Sequence, residues 1–310
     1  MGRTTSIESK QETGRKSSSS QGRSHWLTRR SFLTLSAATV GGLALYSGEI
    51  ARHELSVEEH TIQLARLPDA FRGMRIAQIS DIHYLEFTES FFVREVVDHV
   101  NRLKPDMVLI TGDFVTYGPI RFPPTPIHKA FALRHMPELA SMLSRIECPL
   151  RYTSLGNHDQ MVNGRAIWHI LMDHGLPCLY NQIVPLERDG QRLWLVGLGS
   201  ACVGAANPEQ AIPANLVRDK EAMIVMAHEP DILPEIAKYN ADLMLSGHTH
   251  GGQIRIPFLR PAFLPQYGRR YIEGWFQYGP THLYVNRGIG AIGLPLRLNC
   301  PPEITVFTLA

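Results

Sequence analysis

Short apolar segments alternate with amphipathic helical segments through most of the chain, a pattern that indicates an α/β fold. The apolar segments that predict strands lie at residues 57–64, 75–79, 107–110, 150–155, 223–227 and 243–246. Apolar residues also recur at three- and four-residue spacing from Phe92 to Leu103, which predicts a helix that Pro105 ends. No repeat or long linker interrupts residues 49–310, so these residues are predicted to form a single domain.

The first 48 residues follow a different pattern. Residues 1–31 are basic and rich in Ser and Gly, and they predict a disordered region that cannot bury an apolar face. Residues 32–48 begin with the uncharged run FLTLSAATVGGLALY, and Arg29 and Arg30 stand directly before it. A basic segment followed by an apolar one is the order found in an export signal.

The segment from Thr28 to Leu33, TRRSFL, resembles the twin-arginine signal. The alternative is a retained membrane anchor, although about 15 apolar residues fall short of the ~20 that span a bilayer comfortably. Both interpretations predict a location outside the cytoplasm. The protein is expected to be exported by the twin-arginine machinery, and to be periplasmic or held at the extracytoplasmic membrane face by residues 32–48.

Composition and charge narrow the function classes. With 44% hydrophobic and 19% charged residues, the chain has the composition of a globular protein. Seven basic and two acidic residues among the first 30 account for +5 of charge, so the formal net charge of +2 leaves −3 for the remainder. No nucleic-acid partner is therefore expected. The four cysteines are far apart and form no CxxC pair, which speaks against a zinc ribbon or a thioredoxin-type site.

Residues that can bind metal or transfer protons follow five of the predicted strands. These residues are Asp81, Asp113, Asn157, His228 and His248. Because ligand sites in α/β sheets lie at the carboxyl ends of the strands, we expect these side chains to lie near one another.

The local patterns around these residues differ in strength. Asp81 and His83 are two residues apart, so in extended backbone both point to one side and can hold one ion. Two histidines flanked by glycines, His248 and His250 in SGHTHGG, are the sharpest signal for metal. In Gly156-Asn157-His158-Asp159 a short turn is predicted to give a metal-binding amide and a histidine that faces substrate.

In this order, Asp-x-His, Gly-Asp, Gly-Asn-His-Asp, a lone His and Gly-His-x-His resemble the calcineurin-like metallophosphoesterase family, over about residues 55–310. The stretches 251–253, 286–290 and 300–304 resemble a branch of small exported or membrane-associated members. The resemblance implies an α/β fold built as a four-layer sandwich. Two mixed β-sheets would lie face to face and be flanked by helices, with the metal site at the carboxyl ends of the strands.

The resemblance also implies a dinuclear site with seven protein ligands. One ion would be bound by Asp81, His83 and His250. The other would be bound by Asn157, His228 and His248, and Asp113 would bridge the two. Oxygen and imidazole ligands suit two divalent metal ions, either Mn²⁺, Fe or Zn²⁺.

Catalysis is expected to use a hydroxide shared by the two ions as the nucleophile. By resemblance, Asp113 and His158 are the catalytic residues. His158 would contact the phosphoryl or leaving-group oxygen and, as an imidazolium, donate a hydrogen bond or a proton to it. Many relatives carry an acid three residues after the Gly-Asp aspartate, where this chain has Thr116. That departure leaves the surroundings of the metal ligands undefined.

Residues 257–279, rich in aromatic residues and arginine, are interpreted as a substrate cap or, alternatively, as a packed loop with solvated arginines. The candidate substrate residues are Arg269, Arg270, Tyr271 and Arg287. The Pro-rich segment between Tyr117 and Pro126 could form a wall of the cleft.

The sequence thus predicts a metallophosphoesterase, most simply a phosphodiesterase acting on an envelope phosphodiester or pyrophosphate, with a substrate that could be lipid-linked. Two alternatives stay open. One is a non-catalytic metal-binding scaffold on the same fold. The other is a cytoplasm-facing pyrophosphatase of nucleotide-sugar lipids.

Overall fold

The computed structural model describes residues 28–117, 125–214, 216 and 221–310. The predicted disordered region, up to residue 27, and most of the Pro-rich segment predicted to line the cleft, 118–124, lie outside these residues. The chain divides into two units, the second of which runs from Leu43 to Ala310 and carries both sheets. The predicted domain boundary at residue 48 stays a prediction.

The first helix, α1, spans Arg29–Leu45, where the export signal or anchor is predicted. None of its residues is buried, and apolar side chains such as Phe32, Leu33 and Val40 are largely exposed. In the part of the chain that the structure describes, no helix is long and apolar enough to cross a membrane. The export signal and the anchor both stay predictions.

The second unit contains the remaining helices and the strands. The helices are α2 (Ser90–Leu103), α3 (Pro126–Leu143), α4 (Asn157–Asp173), α5 (Pro208–Ala211) and α6 (Leu233–Ile236). The strands are β1 (Ser56–Ile62), β2 (Arg75–Ile79), β3 (Met107–Thr111), β4 (Leu150–Ser154), β5 (Gln182–Arg188), β6 (Gln191–Gly197), β7 (Met223–Met226), β8 (Leu243–Ser246), β9 (Gly274–Tyr278), β10 (Thr281–Val285) and β11 (Glu303–Leu309). All the predicted strands are present, and their ends move by at most two residues.

The described strands form two mixed sheets. In the first, of order β1-β11-β2-β3-β4, the only antiparallel pair is β11 with β2. In the second, of order β5-β6-β7-β8-β10-β9, the inner strands are parallel and each edge strand is antiparallel to its neighbour. The mixed sheets predicted from the sequence are therefore confirmed.

Three apolar cores separate four layers. Between the sheets, Ile76 and Leu109 of the first pack in one cluster with Leu195 and Met226 of the second. Alternate residues of the first sheet, such as Ala77, point to the opposite face, where α2, α3 and α4 cover them. The outer face of the second sheet packs against α5 and α6. The four-layer α/β sandwich is confirmed.

The prediction of a cap or packed loop over residues 257–279 is wrong in part. Residues 274–278 of the expected cap form β9, which pairs antiparallel with β10 at the edge of the second sheet. The aromatic residues Trp275 and Phe276 are therefore strand residues that pack on the sheet, because aromatic side chains favour a half-buried pleated surface.

The carboxyl ends of the two sheets meet through a buried glutamine. Gln78 of β2 donates from Nε2 to the hydroxyl of Thr111, at the end of β3, and to the carbonyl of Ser246, at the end of β8, both at 3.0 Å. The loops that follow these strands therefore start side by side.

Candidate metal centre

The structure brings the predicted metal ligands into two neighbouring groups. Asp81, His83 and His250 form one group, and Asp113, His228 and His248 form the other. Within each group the potential ligand atoms lie within 4.8 Å of one another, and every member is buried. Residues far apart in sequence thus meet as predicted, while their roles as ligands stay predictions.

The backbone at Asp81 and His83 is not the extended one expected from the sequence, and other residues of the two groups share its conformation. Asp81 (φ 51°), His83 (φ 46°), Asp113 (φ 55°), His248 (φ 72°) and His250 (φ 51°) all adopt left-handed conformations. Such conformations cost energy outside glycine and cluster at functional sites. Both Asp81 and His83 still face the same cluster, because the sharp turn replaces the alternation of a strand.

Two glycines allow the loops to approach closely. A Cβ atom at Gly156 would collide with the carboxylate of Asp113, and one at Gly247 would collide with Ser80 and with the carboxylate of Asp81. Each glycine therefore makes room for a carboxylate from a neighbouring loop.

Asn157 and His158 begin α4 instead of lying in the predicted short turn. The backbone N–H of His158 donates to Oδ1 of Asp113 at 2.9 Å, which ties the start of the helix to that carboxylate. Oδ1 of Asn157 is buried and accepts no hydrogen bond from any described residue. A buried amide oxygen without a donor is costly, so this atom fits a metal ligand.

The four histidines of the two groups each use one ring nitrogen outside the cluster. The contacts are His83 Nδ1 with the Thr116 hydroxyl (2.8 Å), His228 Nδ1 with the Thr111 carbonyl (2.7 Å), His250 Nδ1 with the Gly290 carbonyl (3.2 Å) and His248 Nε2 with the Gln266 carbonyl (2.7 Å). This arrangement turns the second nitrogen toward the cluster, as is usual for metal-binding histidines. It also shows what Thr116 does: a hydroxyl holds His83 where many relatives have an acid.

Buried carboxylates dominate the charge around His228. The Nδ1–H of His228 donates to the Thr111 carbonyl. The other ring nitrogen, Nε2, lies 3.0 Å from Oδ2 of Asp113. Unless the ring takes a second proton, this nitrogen faces the carboxylate with a lone pair. Although burial opposes this protonation, the Asp113 and Asp81 charges raise the pKa of His228 well above its usual range. Burial, followed by the Asp113 charge, raises the pKa of Asp159 to about 8. Buried acceptors that compete for positive charge fit divalent ions.

Two of the other histidines, His83 and His250, are neutral. Burial lowers the pKa of His83 and of His250 well below the usual range, and their Nε2 atoms converge to 3.0 Å. Neutral imidazoles are the form that binds metal. Carboxylate, amide and imidazole donors of this kind fit Mn²⁺, Fe or Zn²⁺ equally.

The surroundings of His158 favour the neutral imidazole over the imidazolium. Burial is the main cause that lowers its pKa to about 4. The backbone N–H of Tyr117 points at Nδ1 from 3.5 Å, which favours the tautomer with the proton on Nε2. The Tyr117 ring also packs on the imidazole, with 4.3 Å between centroids. His158 can therefore act as an Nε2–H hydrogen-bond donor.

Sequence reasoning missed the role of Asp159. Its Oδ1 accepts the backbone N–H groups of Phe114 (2.9 Å) and Val115 (3.2 Å), and its Oδ2 accepts that of Gly156 (3.0 Å). One buried carboxylate thus joins the loop of Asp113 to the start of α4. The available signal was an acid at the third position of a helix, where it can bond back to the helix start.

Arg297 was also missed. It is fully buried and donates to the backbone carbonyls of Arg287, Gly288, Gly290 and Cys300. Gly290 is the residue whose carbonyl accepts from His250, so Arg297 fixes that loop. Nothing in the local sequence distinguishes it from a surface arginine.

The candidate substrate residues have different surroundings. The backbone N–H groups of Arg269, Arg270 and Tyr271 donate to the carboxylate of Asp231, and the two arginine side chains are exposed. Tyr271 is buried, and the Arg270 guanidinium lies over its ring.

Arg287 lies in a pair of ion pairs instead of an open cleft. Its guanidinium contacts Glu58 at 2.7 Å and Glu303 at 2.9 Å. These contacts join β1, β11 and the loop after β10, and they give Arg287 a structural role.

A third group near the site shares His248 with Cys202 and Glu229. Glu229 accepts the backbone N–H of Ala201 at 2.9 Å and also contacts the Ser200 hydroxyl. Burial, with Glu229 as the second cause, raises the pKa of the Cys202 thiol, so a thiolate ligand is disfavoured there. All four cysteines are free thiols.

Comparison with known proteins gives a consistent result. A model of the calcineurin-like phosphoesterase family matches residues 74–252. The metallophosphoesterase YkuE of Bacillus subtilis (strain 168) is 35% identical over 91% of this chain and 98% of its own. The phosphodiesterase YaeI of Escherichia coli (strain K12) is 32% identical over 91% of this chain and 99% of its own. The UDP-2,3-diacylglucosamine pyrophosphatase LpxG of Chlamydia muridarum is 26% identical over 78% of this chain and 86% of its own.

Proposed function

The chain belongs to the calcineurin-like phosphoesterase family, and from this premise we propose that it is a dinuclear phosphodiesterase that acts on a phosphodiester or pyrophosphate of the cell envelope. It is a hydrolase of phosphoric ester bonds. What we propose beyond this activity is the class of substrate and its location in the cell.

The observation that carries the proposal is the convergence of buried side chains that can bind metal, in two neighbouring groups. The Nε2 of His228 lies 3.0 Å from Asp113 in the second group. The buried Oδ1 of Asn157, at the start of α4, accepts no hydrogen bond from any described residue. Asp113 lies between the groups, since its Oδ2 is also 3.7 Å from Nε2 of His83. Asp113 is thus placed to share its carboxylate between two ions.

Two divalent ions bound here would activate water and neutralise the charge that builds up on the phosphoryl oxygens. The protein side chains orient the reacting groups and donate hydrogen bonds to them. His158, with its proton on Nε2, is placed to donate a hydrogen bond to the leaving oxygen, and one such donor is typically worth about 10² to 10³ in rate. Tyr117 and the Asp113 carboxylate hold His158 in place.

Three considerations favour a diester or pyrophosphate in the envelope. A relative that is 32% identical is named a phosphodiesterase, and a more distant one is named a pyrophosphatase of an acylated nucleotide sugar. The predicted export signal places the site outside the cytoplasm. A non-catalytic scaffold is disfavoured because every ligand and His158 are retained.

The test uses the full chain with Mn²⁺, and then with Fe²⁺ or Zn²⁺. The substrates are a chromogenic phosphodiester and the matching monoester, and Asp113→Asn is the control. We expect turnover of the diester to exceed that of the monoester and to be lost in the control. Absence of diester turnover with all three metals, or equal turnover by the control, would contradict the proposal.

Export has its own test. The protein with Arg29→Lys and Arg30→Lys is compared with the parent by cell fractionation, because the twin-arginine pathway requires the pair. We expect the parent outside the cytoplasm and the variant retained inside. Equal distribution of the two proteins would refute twin-arginine export, and a cytoplasm-facing parent would favour the pyrophosphatase alternative.

A further inference from the structure

An apolar loop protrudes beside the metal centre. The apolar loop is defined here as residues 256–270. Ile256, Leu259 and Phe263 are each more than half exposed, and Phe258 is fully exposed. Large apolar side chains clustered on one short exposed segment indicate a surface that contacts a partner.

The loop is anchored at both ends instead of hanging free. Before it, the backbone N–H of Arg255 donates to the carbonyl of Leu298 at 2.9 Å. At its end, the carboxylate of Asp231 accepts the N–H groups of Arg269 and Arg270, and the N–H of Asp231 donates to the carbonyl of Tyr267 at 3.0 Å. Prolines at 257, 261 and 265 restrict the backbone between these anchors. The exposed side chains are therefore held outward by a fixed loop.

The loop is connected directly to the metal centre. Its Gln266 carbonyl accepts the Nε2–H of His248 at 2.7 Å, and a Cβ atom at Gly268 would lie 3.3 Å from Cδ2 of that histidine. Whatever the loop docks on is thus brought next to the metal-facing side chains.

The charge of the loop favours an anionic bilayer over a second copy of the loop as its partner. Residues 253–272 contain four arginines and no acidic residue. Arg255 pairs with Glu273, but Arg260, Arg269 and Arg270 form no ion pair with any residue that the structure describes. A second copy of the loop would bring like charges together, whereas an anionic bilayer offers both acyl chains and negative headgroups.

We propose that the apolar loop docks on an anionic lipid bilayer, with Phe258 and Phe263 inserted among the acyl chains and the arginines at the headgroups. This docking rests on the proposed envelope phosphodiesterase in one respect: it would present lipid headgroup phosphates to the metal centre. Binding of the loop to the bilayer is a separate property from hydrolysis and is tested separately.

The test measures how far brominated lipid quenches the fluorescence of a tryptophan introduced on the loop. Phe258→Trp in the full chain is mixed with vesicles of brominated phosphatidylcholine with or without phosphatidylglycerol. The matched control is Phe131→Trp on α3, another exposed phenylalanine far along the chain. Because both proteins keep residues 32–48, any anchoring through that segment is common to both. We expect bromine to quench the added emission at 258, more strongly with phosphatidylglycerol, and to leave that at 131 unchanged.

A second arm measures the charge. Arg260→Gln in the Phe258→Trp background should raise the lipid concentration at half-maximal quenching about fivefold, the effect of one arginine at an anionic surface. Equal or absent quenching at 258 and 131 would overturn the proposal. So would absent quenching together with loss of self-association in Phe258→Ser, which would assign the surface to a second copy.

The two proposals fail in different ways. Phe258→Ser with Phe263→Ser should hydrolyse a soluble diester as the parent does, yet lose hydrolysis of diesters presented on vesicles. Quenching at 258 without hydrolysis of any diester would leave docking in place and refute the phosphodiesterase. Normal hydrolysis of soluble diester without quenching would refute docking and leave the phosphodiesterase in place.

Discussion

Replacing Asp159 by Asn tests whether one buried carboxylate holds the two metal-binding loops together. The side chain accepts three backbone N–H groups, two at Oδ1 from Phe114 and Val115 and one at Oδ2 from Gly156. An asparagine keeps its oxygen toward the first two and turns an amide N–H₂ toward the third. Two donors then face each other in a buried place.

The magnitude follows from that single loss. One buried donor left without its partner costs about 1–3 kcal/mol, so the variant should fold with its free energy of unfolding lowered by that amount. The loops of Asp113 and Asn157 then separate slightly. Groups that support metal ligands in this way typically change metal affinity by about 10- to 100-fold.

The assay is a titration of the metal-free variant with Mn²⁺, followed by calorimetry and by diester turnover. Asp242→Asn is the control for loss of a buried carboxylate, although Asp242 also accepts from Arg66 Nε at 2.9 Å. Asp242 is also buried and accepts the backbone N–H of Met223 at 2.7 Å, but it precedes β8, at the far end of the strands from the site. We expect both variants to lose stability and Asp159→Asn alone to bind Mn²⁺ more weakly, with turnover restored by excess metal. Unchanged Mn²⁺ affinity in Asp159→Asn would refute the reasoning.

Four further predictions follow from the same geometry. His158→Ala should keep its metal content, measured by elemental analysis, and lose about 10² to 10³ in turnover of a substrate with a poor leaving group; parental turnover would remove its role as hydrogen-bond donor. Gly156→Ala should lose bound metal because its Cβ would occupy the place of the Asp113 carboxylate, and full metal content would contradict this. Arg287→Met should lower the free energy of unfolding by on the order of 3 kcal/mol and leave KM unchanged, whereas a raised KM at parental stability would return it to the substrate site. Removal of metal by a chelator should lower the thermal midpoint, since ions at 100 times Kd contribute about 2.7 kcal/mol; an unchanged midpoint would mean that the ions do not support the fold.

The sequence predicts the fold, and which side chains come close together, because both depend on strands. The apolar runs that become β2, β3, β4, β7 and β8 are short and parallel to their neighbours among these strands, so their carboxyl ends must lie at one edge of each sheet. A polar residue directly after such a run is therefore predictable as a site residue without knowing the loop geometry.

What the sequence could not predict depends on contacts between residues that are far apart in the chain. The left-handed backbone at Asp81 and His83 reflects the crowding of loops from two sheets, which no local pattern encodes. Arg287 and Arg297 read as ordinary arginines, yet one pairs with Glu58 and Glu303 and the other donates to backbone carbonyls in the interior. Their partners lie up to 229 positions away, so spacing alone cannot reveal them.

The most direct test of the dinuclear centre is anomalous X-ray diffraction from crystals of the full chain loaded with Mn²⁺. The account predicts two peaks about 3.5–4 Å apart, as in two-metal sites, with Asp113 between them. One peak should contact Asp81, His83 and His250, and the other Asn157, His228 and His248. A single peak, or two peaks that do not share Asp113, would contradict the account.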